Sequence, residues 1–423
     1  MRRVLVVAFQ FPPFAGSSGV QRTLRFVQHL PRFGWQPIVL TAQPRAYDNV
    51  RPDLLREIPA GLVVERAFAL DAARHIAVRG RYPAWLARPD RWVSWWPDAV
   101  RRGRRLLRTY RPDAIFSTYP IPTAHLVGAA LARASGLPWI ADFRDPMAQE
   151  GYPEDPRTWR SFKRIEERVF AQAAACTFTT PGAAASYRAR YPDSAARIEV
   201  IENGYDEEAF ARAERDPQAG APLQLGVTTL LHSGVVYPSE RDPTQLFAAL
   251  ATLKREGLDG TRLRVRFRAP GHDNLLRGLA AAAGVVDMID VLPPVPYHDA
   301  LVEMLRADGL LVMQASNCNA QVPAKLYEYA RAGRPLVALT DPNGDTAGVL
   351  RSLGVRELST LDGASAIGCL LRRFITSPEE LQPDSALARG TAREHRAQQM
   401  AALLAGGSAR APMRVRIAPP APR

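Results

Sequence analysis

Lysine is almost missing from this chain: only Lys163, Lys254 and Lys325 stand among its 55 basic residues. Cysteine is scarce too. Cys176, Cys318 and Cys369 are three in number and far apart, which excludes a disulfide framework and leaves no paired spacing for a metal site. A reducing, cytoplasmic setting is the expectation. No unbroken apolar run reaches the roughly 18–20 residues that a membrane span requires. The opening stretch from Met1 to Phe9 resembles a signal peptide only superficially. Its apolar run is short, it has no small-residue cleavage site, and it leads into a Pro/Gly loop, so it reads as a buried first strand. The compact G-x-G-x-x-G turn of dinucleotide enzymes is also absent, which disfavours an NAD enzyme.

What is present is arginine, unevenly placed. The formal net charge is +13, and residues 1–110 hold 19 Arg against 7 acids, so one region carries nearly the whole excess. A basic face of that kind fits acidic lipid, lipid-linked phosphate or nucleic acid. An arginine-biased composition would give the same excess without a partner. No helix-turn-helix, RRM or zinc pattern accompanies the charge, and the basic region falls inside an α/β pattern, so nucleic acid is not expected. The stretch from Arg91 through Trp92, Trp95 and Trp96 to Arg111 mixes tryptophan with arginine. That mix suits a membrane interface, and equally a basic helix with Trp in the core.

At 423 residues the chain is long enough for two domains. Short apolar runs alternate with helix-length segments: strands are expected at 4–9, 37–42, 62–68, 114–118, 138–143, 176–180 and 197–201. Amphipathic helices fall between them, at 20–33, 123–135 and 158–174. The pattern restarts with strands at 230–233, 262–268, 288–292, 309–313 and 335–339. Helices near 243–256, 273–283, 297–306, 323–332 and 346–353 follow these strands. Such alternation predicts two doubly wound parallel sheets in tandem, facing each other across a cleft. The expected boundaries are a first domain over 1–206, an Ala/Gly/Pro-rich linker over 207–222, and a second domain over 223–377. A helical segment over 378–405 and a disordered tail over 406–423 complete the chain.

Six motifs could carry chemistry. Gly16 and Gly19 lie in the loop after the first strand, where a bare backbone and helix amides can approach an anion; a generic strand–helix turn uses the same residues. His125 follows Pro120-Ile-Pro and sits near a helix start. Asp142, Arg144 and Asp145 directly follow an apolar strand, the place where α/β proteins put ligand contacts; a local ion-pair lattice is the alternative. Asn203-Gly-Tyr-Asp206 reads as a turn or hinge. His232-Ser-Gly234, with Arg241 ahead of a helix, suits a diphosphate cradle of amides plus a fixed cation. Finally, Pro323-Ala-Lys325-Leu326-Tyr-Glu328 runs on to Gly333-Arg-Pro335. Lys325 and Glu328 share one helix face, able to show a cation to phosphate and a carboxylate to ribose hydroxyls. An ordinary surface pair has the same spacing, but lysine is too rare here to be filler.

In this order, over roughly residues 4–340, these motifs resemble the family-4 retaining glycosyltransferases with the GT-B fold. The resemblance implies two Rossmann-like domains, the N-terminal one binding an acceptor and the C-terminal one a nucleoside diphosphate-sugar. Members with similar motifs build bacterial polysaccharides and cell-surface glycans. Glu328 would hold the donor ribose. Arg241 and Lys325 would lie at the diphosphate, with Gly234 beside it. Gly16, Gly19 and His125 would lie near the transferred sugar. Asp142, Arg144 and Asp145 would be acceptor-side contacts, and Leu326 would belong to the donor-binding run. No metal or other cofactor is implied. The expected partners are the donor and a glycan or lipid-linked acceptor, with peripheral contact to an anionic membrane through the first domain. The sequence departs from the family at Ala320, where many members carry a second glutamate that contacts the sugar. Asn319 or Gln321 is expected to substitute. A catalytically silent nucleotide-sugar binder or scaffold is the alternative that Ala320 supports, and a GT-B sugar-nucleotide epimerase is a smaller one.

Overall fold

The structure, a computed structural model, describes residues 1–16 and 18–409. It divides into two compact units. The first comprises residues 1–179, 183–202 and the described residues from Arg396 on; the second comprises 180–182 and 203–395.

The first unit is built on seven strands: β1 (Arg2–Ala8), β2 (Trp35–Ala42), β3 (Val63–Ala67), β4 (Ala114–Thr118), β5 (Trp139–Arg144), β6 (Ala175–Phe178) and β7 (Ile198–Val200). Their order is β3-β2-β1-β4-β5-β6-β7 and every pairing is parallel. Parallel neighbours need long crossovers, which here are mostly helices covering both faces. The central strands are accordingly apolar throughout, with Val4, Leu5, Val7 and Ala8 of β1 fully buried. The order reverses between β1 and β4, and that switch point opens the carboxyl ends of the strands to the loops.

The second unit has five strands: β8 (Thr228–Ser233), β9 (Leu263–Arg268), β10 (Ile289–Leu292), β11 (Gly309–Met313) and β12 (Leu336–Leu339). Their order is β10-β9-β8-β11-β12, again all parallel, with the switch point between β8 and β11. Each expected strand is therefore found, within two residues of the expected ends.

Three expectations about segments need correction. Residues 207–222 are not a linker. Glu207–Glu214 is a helix whose start is capped by the Asp206 carboxylate accepting from the Ala209 amide, and Ala209, Phe210 and Ala213 are buried in the second unit. The first unit ends at Glu202 and not at residue 206. The expected helical segment 378–405 is helical in large part and is divided between the units, with 378–395 in the second and the residues from Arg396 on in the first. Helix Arg393–Ala409 carries Ala397, Met400, Ala401 and Leu404 into the first unit's core, beside Val4 and Val6 of β1. Residues 406–409 of the expected tail continue that helix, and the rest of the tail lies outside the described residues.

Candidate functional site

In the second unit the chain leaves β8 at Ser233 and reaches Gly234 with φ +142°, a conformation L side chains rarely adopt. A methyl group there would sit 2.8 Å from the Lys325 Cε, so the glycine also makes room for the lysine. Lys325 opens helix Lys325–Ala332, on the far side of the switch point, and its Nζ lies 3.5 Å from the Ser233 hydroxyl. One turn on, Glu328 is 7% exposed and accepts one hydrogen bond, from the Tyr297 hydroxyl at 2.9 Å. The Tyr329 hydroxyl accepts from the Ser233 amide at 2.8 Å, which ties the strand end to the helix.

Two cations converge on this end of the sheet. Arg241 donates to the Val235 carbonyl at 2.6 Å and lies 5.4 Å from the centre of the Tyr237 ring. Burial pulls the Lys325 ammonium below its usual value; Glu328 pushes the other way, and the charge of Arg241 adds to the fall. His232 is buried behind them. Its Nδ1 donates to the Leu311 carbonyl at 2.9 Å, leaving Nε2 as an unprotonated, unpartnered lone pair. Burial, with the charges of Arg241 and Lys325, brings this imidazole down to about 4, so it is neutral at pH 7. Across β11, the Asn319 amide donates to Asp341 at 2.7 Å and its carbonyl accepts from the Asp345 amide, so Asn319 pins the following turn. The half-buried Gln321 side chain makes no hydrogen bond among the described residues; its backbone is engaged, the amide donating to the Cys318 carbonyl and the carbonyl accepting from Gln314 and Thr346.

In the first unit, Gly19 packs where a methyl group would meet Arg144 Nη1 at 2.2 Å and Gln10 Oε1 at 2.6 Å. Arg144 reaches this place because the β5–β6 register shifts between Asp142 and Arg144, and Arg144 itself has φ +62°. Its guanidinium donates to the Tyr119 carbonyl at 3.3 Å. Burial lowers its pKa, opposed by the carboxylates of Asp145 and Asp142. Gly16, exposed and at φ +90°, stands apart from this cluster, near Asn49.

Residues 18–204 match the family model described as "Glycosyl transferase 4-like domain". Among solved structures, sucrose-phosphate synthase from Thermosynechococcus elongatus is similar over 97% of this chain and 98% of its own, with a TM-score of 0.61 at 14% identity. Anabaena HepE in complex with UDP-glucose is similar over 96% and 100%, with a TM-score of 0.62 at 13% identity. A putative UDP-N-acetylglucosamine 2-epimerase from Listeria monocytogenes is similar over 94% of each chain, with a TM-score of 0.57 at 12% identity. No curated protein matches. Residues 18–204 are thus similar to a glycosyl transferase 4-like domain, and the whole chain has the GT-B type of fold.

Within the first unit two site expectations are corrected. His125 lies in the first turn of its helix, as expected, but its side chain faces the core. It is fully buried on the inward face of helix Thr123–Ser135, 5.0 Å from the Phe143 ring centre. Its Nδ1 shares a 2.8 Å hydrogen bond with Ser117, and burial drives its pKa down to about 4. Asp142 is likewise fully buried, and all its capacity is used: it accepts from Arg22 Nε and Nη2 at 3.1 and 3.0 Å, Thr118 at 2.8 Å and Thr177 at 2.7 Å. Burial alone would raise its pKa, but Arg22 and Thr177 outweigh it and keep the carboxylate ionised. Asp142 therefore anchors the strand ends and is not an acceptor contact. Asp145, half-buried, stays beside Arg144 and Tyr119. In the second unit, Leu326 is corrected in the same way, because its side chain is core and its amide donates to the Pro323 carbonyl. Sequence reasoning missed Arg22, Gln10 and Tyr297. The first two lie in or near the glycine loop already singled out, and Tyr297 opens an expected helix, so proximity to known motifs was the available signal.

Proposed function

We propose that the chain transfers a sugar from a nucleoside diphosphate-sugar to a hydroxyl acceptor, with retention at the anomeric carbon, in the synthesis of a polysaccharide or cell-surface glycan. The observation that carries this reading is the pairing of Lys325 and Glu328 on one helix beside Gly234, at the second unit's switch point. Glu328, with one lone-pair direction taken by Tyr297, accepts from the two ribose hydroxyls. Gly234 lets the backbone approach the diphosphate, and Arg241 and Lys325 face its oxygens. In the reaction the bond from C1 to the phosphate oxygen breaks and a bond from C1 to the acceptor oxygen forms on the same face. The acceptor proton passes to the departing phosphate. Negative charge grows on that phosphate, so fixed cations act more strongly in the transition state than in the ground state. Gln321, with its side-chain amide uncommitted, is the better candidate than Asn319 to meet the sugar at the place where Ala320 offers nothing. Arg144 and Asp145 belong to the acceptor-side reading of the first unit, and Gly19 to the reading of a contact with the transferred sugar. A cytoplasmic location with peripheral contact to an anionic membrane goes with it.

The test is calorimetric titration with UDP, GDP, ADP and TDP and their common sugars. Saturable binding to one series, lost in Glu328→Ala, supports the donor site; no binding to any removes it. Ala320 favours one second reading, a silent nucleotide-sugar binder. Binding without donor hydrolysis or transfer to any acceptor would select that reading.

A further inference from the structure

The first unit has a groove that the donor chemistry does not use. It lies between the stretch 88–97, the outer face of helix Thr123–Ser135 and helix Pro156–Gln172, with a volume of about 490 Å³. That volume is in the range of small-molecule sites. Its floor is apolar: Val93, Leu126, Ala129 and Ala130, closed at one side by Trp96, which is 40% exposed. Trp85, in the turn Ala84–Ala87 just before it, is 70% exposed.

Every ionisable residue lining the groove is an arginine: Arg88, Arg133 and Arg168. These charges are poorly compensated. Arg88 has a 3.5 Å contact with the half-exposed Asp155, and its Nε has no partner. Arg133 and Arg168 are exposed and make no ion pair among the described residues. The neighbouring basic helix Trp95–Tyr110 is different. There Arg101 and Arg102 pair with Asp98, and Arg102 and Arg105 with Glu65. At the groove one distant carboxylate faces three arginines; on the helix two carboxylates engage three of five, and Arg104 and Arg108 make no ion pair among the described residues.

We propose that this groove binds an anionic phospholipid of a bilayer surface, the acyl region lying on the apolar floor beside Trp96 and the phosphate held by the arginine rim. Guanidinium groups bind phosphate through paired N–H donors, and tryptophan favours the boundary between acyl chain and headgroup. The proposal gives the membrane contact stated above a definite place. It does not depend on the donor site.

The full chain is to be co-sedimented with vesicles of phosphatidylcholine alone and with vesicles containing phosphatidylglycerol. Binding to the second kind only is expected. The triple variant Arg88→Gln, Arg133→Gln, Arg168→Gln should weaken it roughly fivefold per arginine, on the order of a hundredfold in all. Removing the same charge from the helix, with Arg101→Gln, Arg104→Gln and Arg105→Gln, should weaken it much less. Equal losses in the two triples would assign binding to net charge alone and overturn the proposal. Indifference to lipid charge would overturn it as well, as would competition by free glycerol phosphate as effective as that by vesicles. If the first triple folds poorly, Arg133→Gln with Arg168→Gln leaves the Arg88–Asp155 pair intact and is read the same way. Nucleotide titration of the same proteins separates the two readings: vesicle binding without nucleotide binding keeps this inference and removes the donor site, and the reverse result does the opposite.

Discussion

Asp142 and Glu328 are both acidic residues at the carboxyl-end side of a parallel sheet, and both are buried. Asp142 accepts four hydrogen bonds from Arg22, Thr118 and Thr177. Glu328 accepts one, from Tyr297. A buried carboxylate whose lone pairs are filled has nothing left for a ligand, whereas one with open directions incurs a desolvation cost that a ligand can offset. The cations repeat the contrast. Arg22 forks onto Asp142 and donates to the carbonyls of Ile201 and Glu202; Lys325 has one long contact with Ser233. Burial alone therefore does not identify a site in this fold. Unused hydrogen-bonding capacity does.

Substitutions at filled and open positions should separate the two kinds of residue. The largest effect is expected for Asp142→Ala, which strands the buried Arg22 charge and should cost about 3–5 kcal/mol of stability in denaturant unfolding. A variant of near-normal stability would show that the four-bond network is not an anchor. Next comes His125. Its folded pKa of about 4 lies below the ordinary histidine value of about 6.5, so the unfolded chain binds the extra proton first as pH falls. The stability from burying it neutral is complete above about pH 6.5 and is lost on the way down to pH 4, roughly 3 kcal/mol in all. Unfolding curves across that window should show the slope, and His125→Gln should flatten it. His232, also brought down to about 4, adds a parallel loss that this variant leaves in place.

Glu328→Ala should reverse the pattern of Asp142→Ala: little change in unfolding, but nucleotide affinity lower by about 1.5–3 kcal/mol in calorimetry. A destabilised protein that still binds nucleotide normally would make Glu328 another anchor. The smallest effect is expected for Arg101→Gln, whose side chain is 69% exposed in its pair with Asp98. A change beyond about 0.5 kcal/mol in thermal unfolding would contradict its reading as a solvated surface charge.

The twelve strands were legible because parallel strands buried on both faces must be apolar, and Gly, Pro and charge punctuate them. The Lys325–Glu328 helix was legible from spacing within one turn. The role of Asp142 was not. Its donors come from Arg22, Thr118 and Thr177, residues that only the sheet order brings together. His125 failed for the same reason: position after a strand does not reveal that the helix turns it inward onto Ser117 and Phe143. Helix Glu207–Glu214 was masked by its shortness and by the Gly/Pro-containing residues after it, although its Ala and Glu favour helix and Asp206 is its N-cap. The return of the last helix to the first unit had no local signal at all.

That return sets the timetable of synthesis. A chain emerging from the ribosome normally completes its N-terminal domain first. Here the face of β1 that holds Val4 and Val6 awaits Ala397, Met400 and Leu404, which are translated after the entire second unit. A nascent or truncated chain ending before residue 396 therefore leaves this face covered only in part, by Leu24 and Val27 of the first helix and their neighbours. Early stop codons near the 3′ end of the message would strip the beginning of the protein of part of its cover while leaving every residue of that beginning in place.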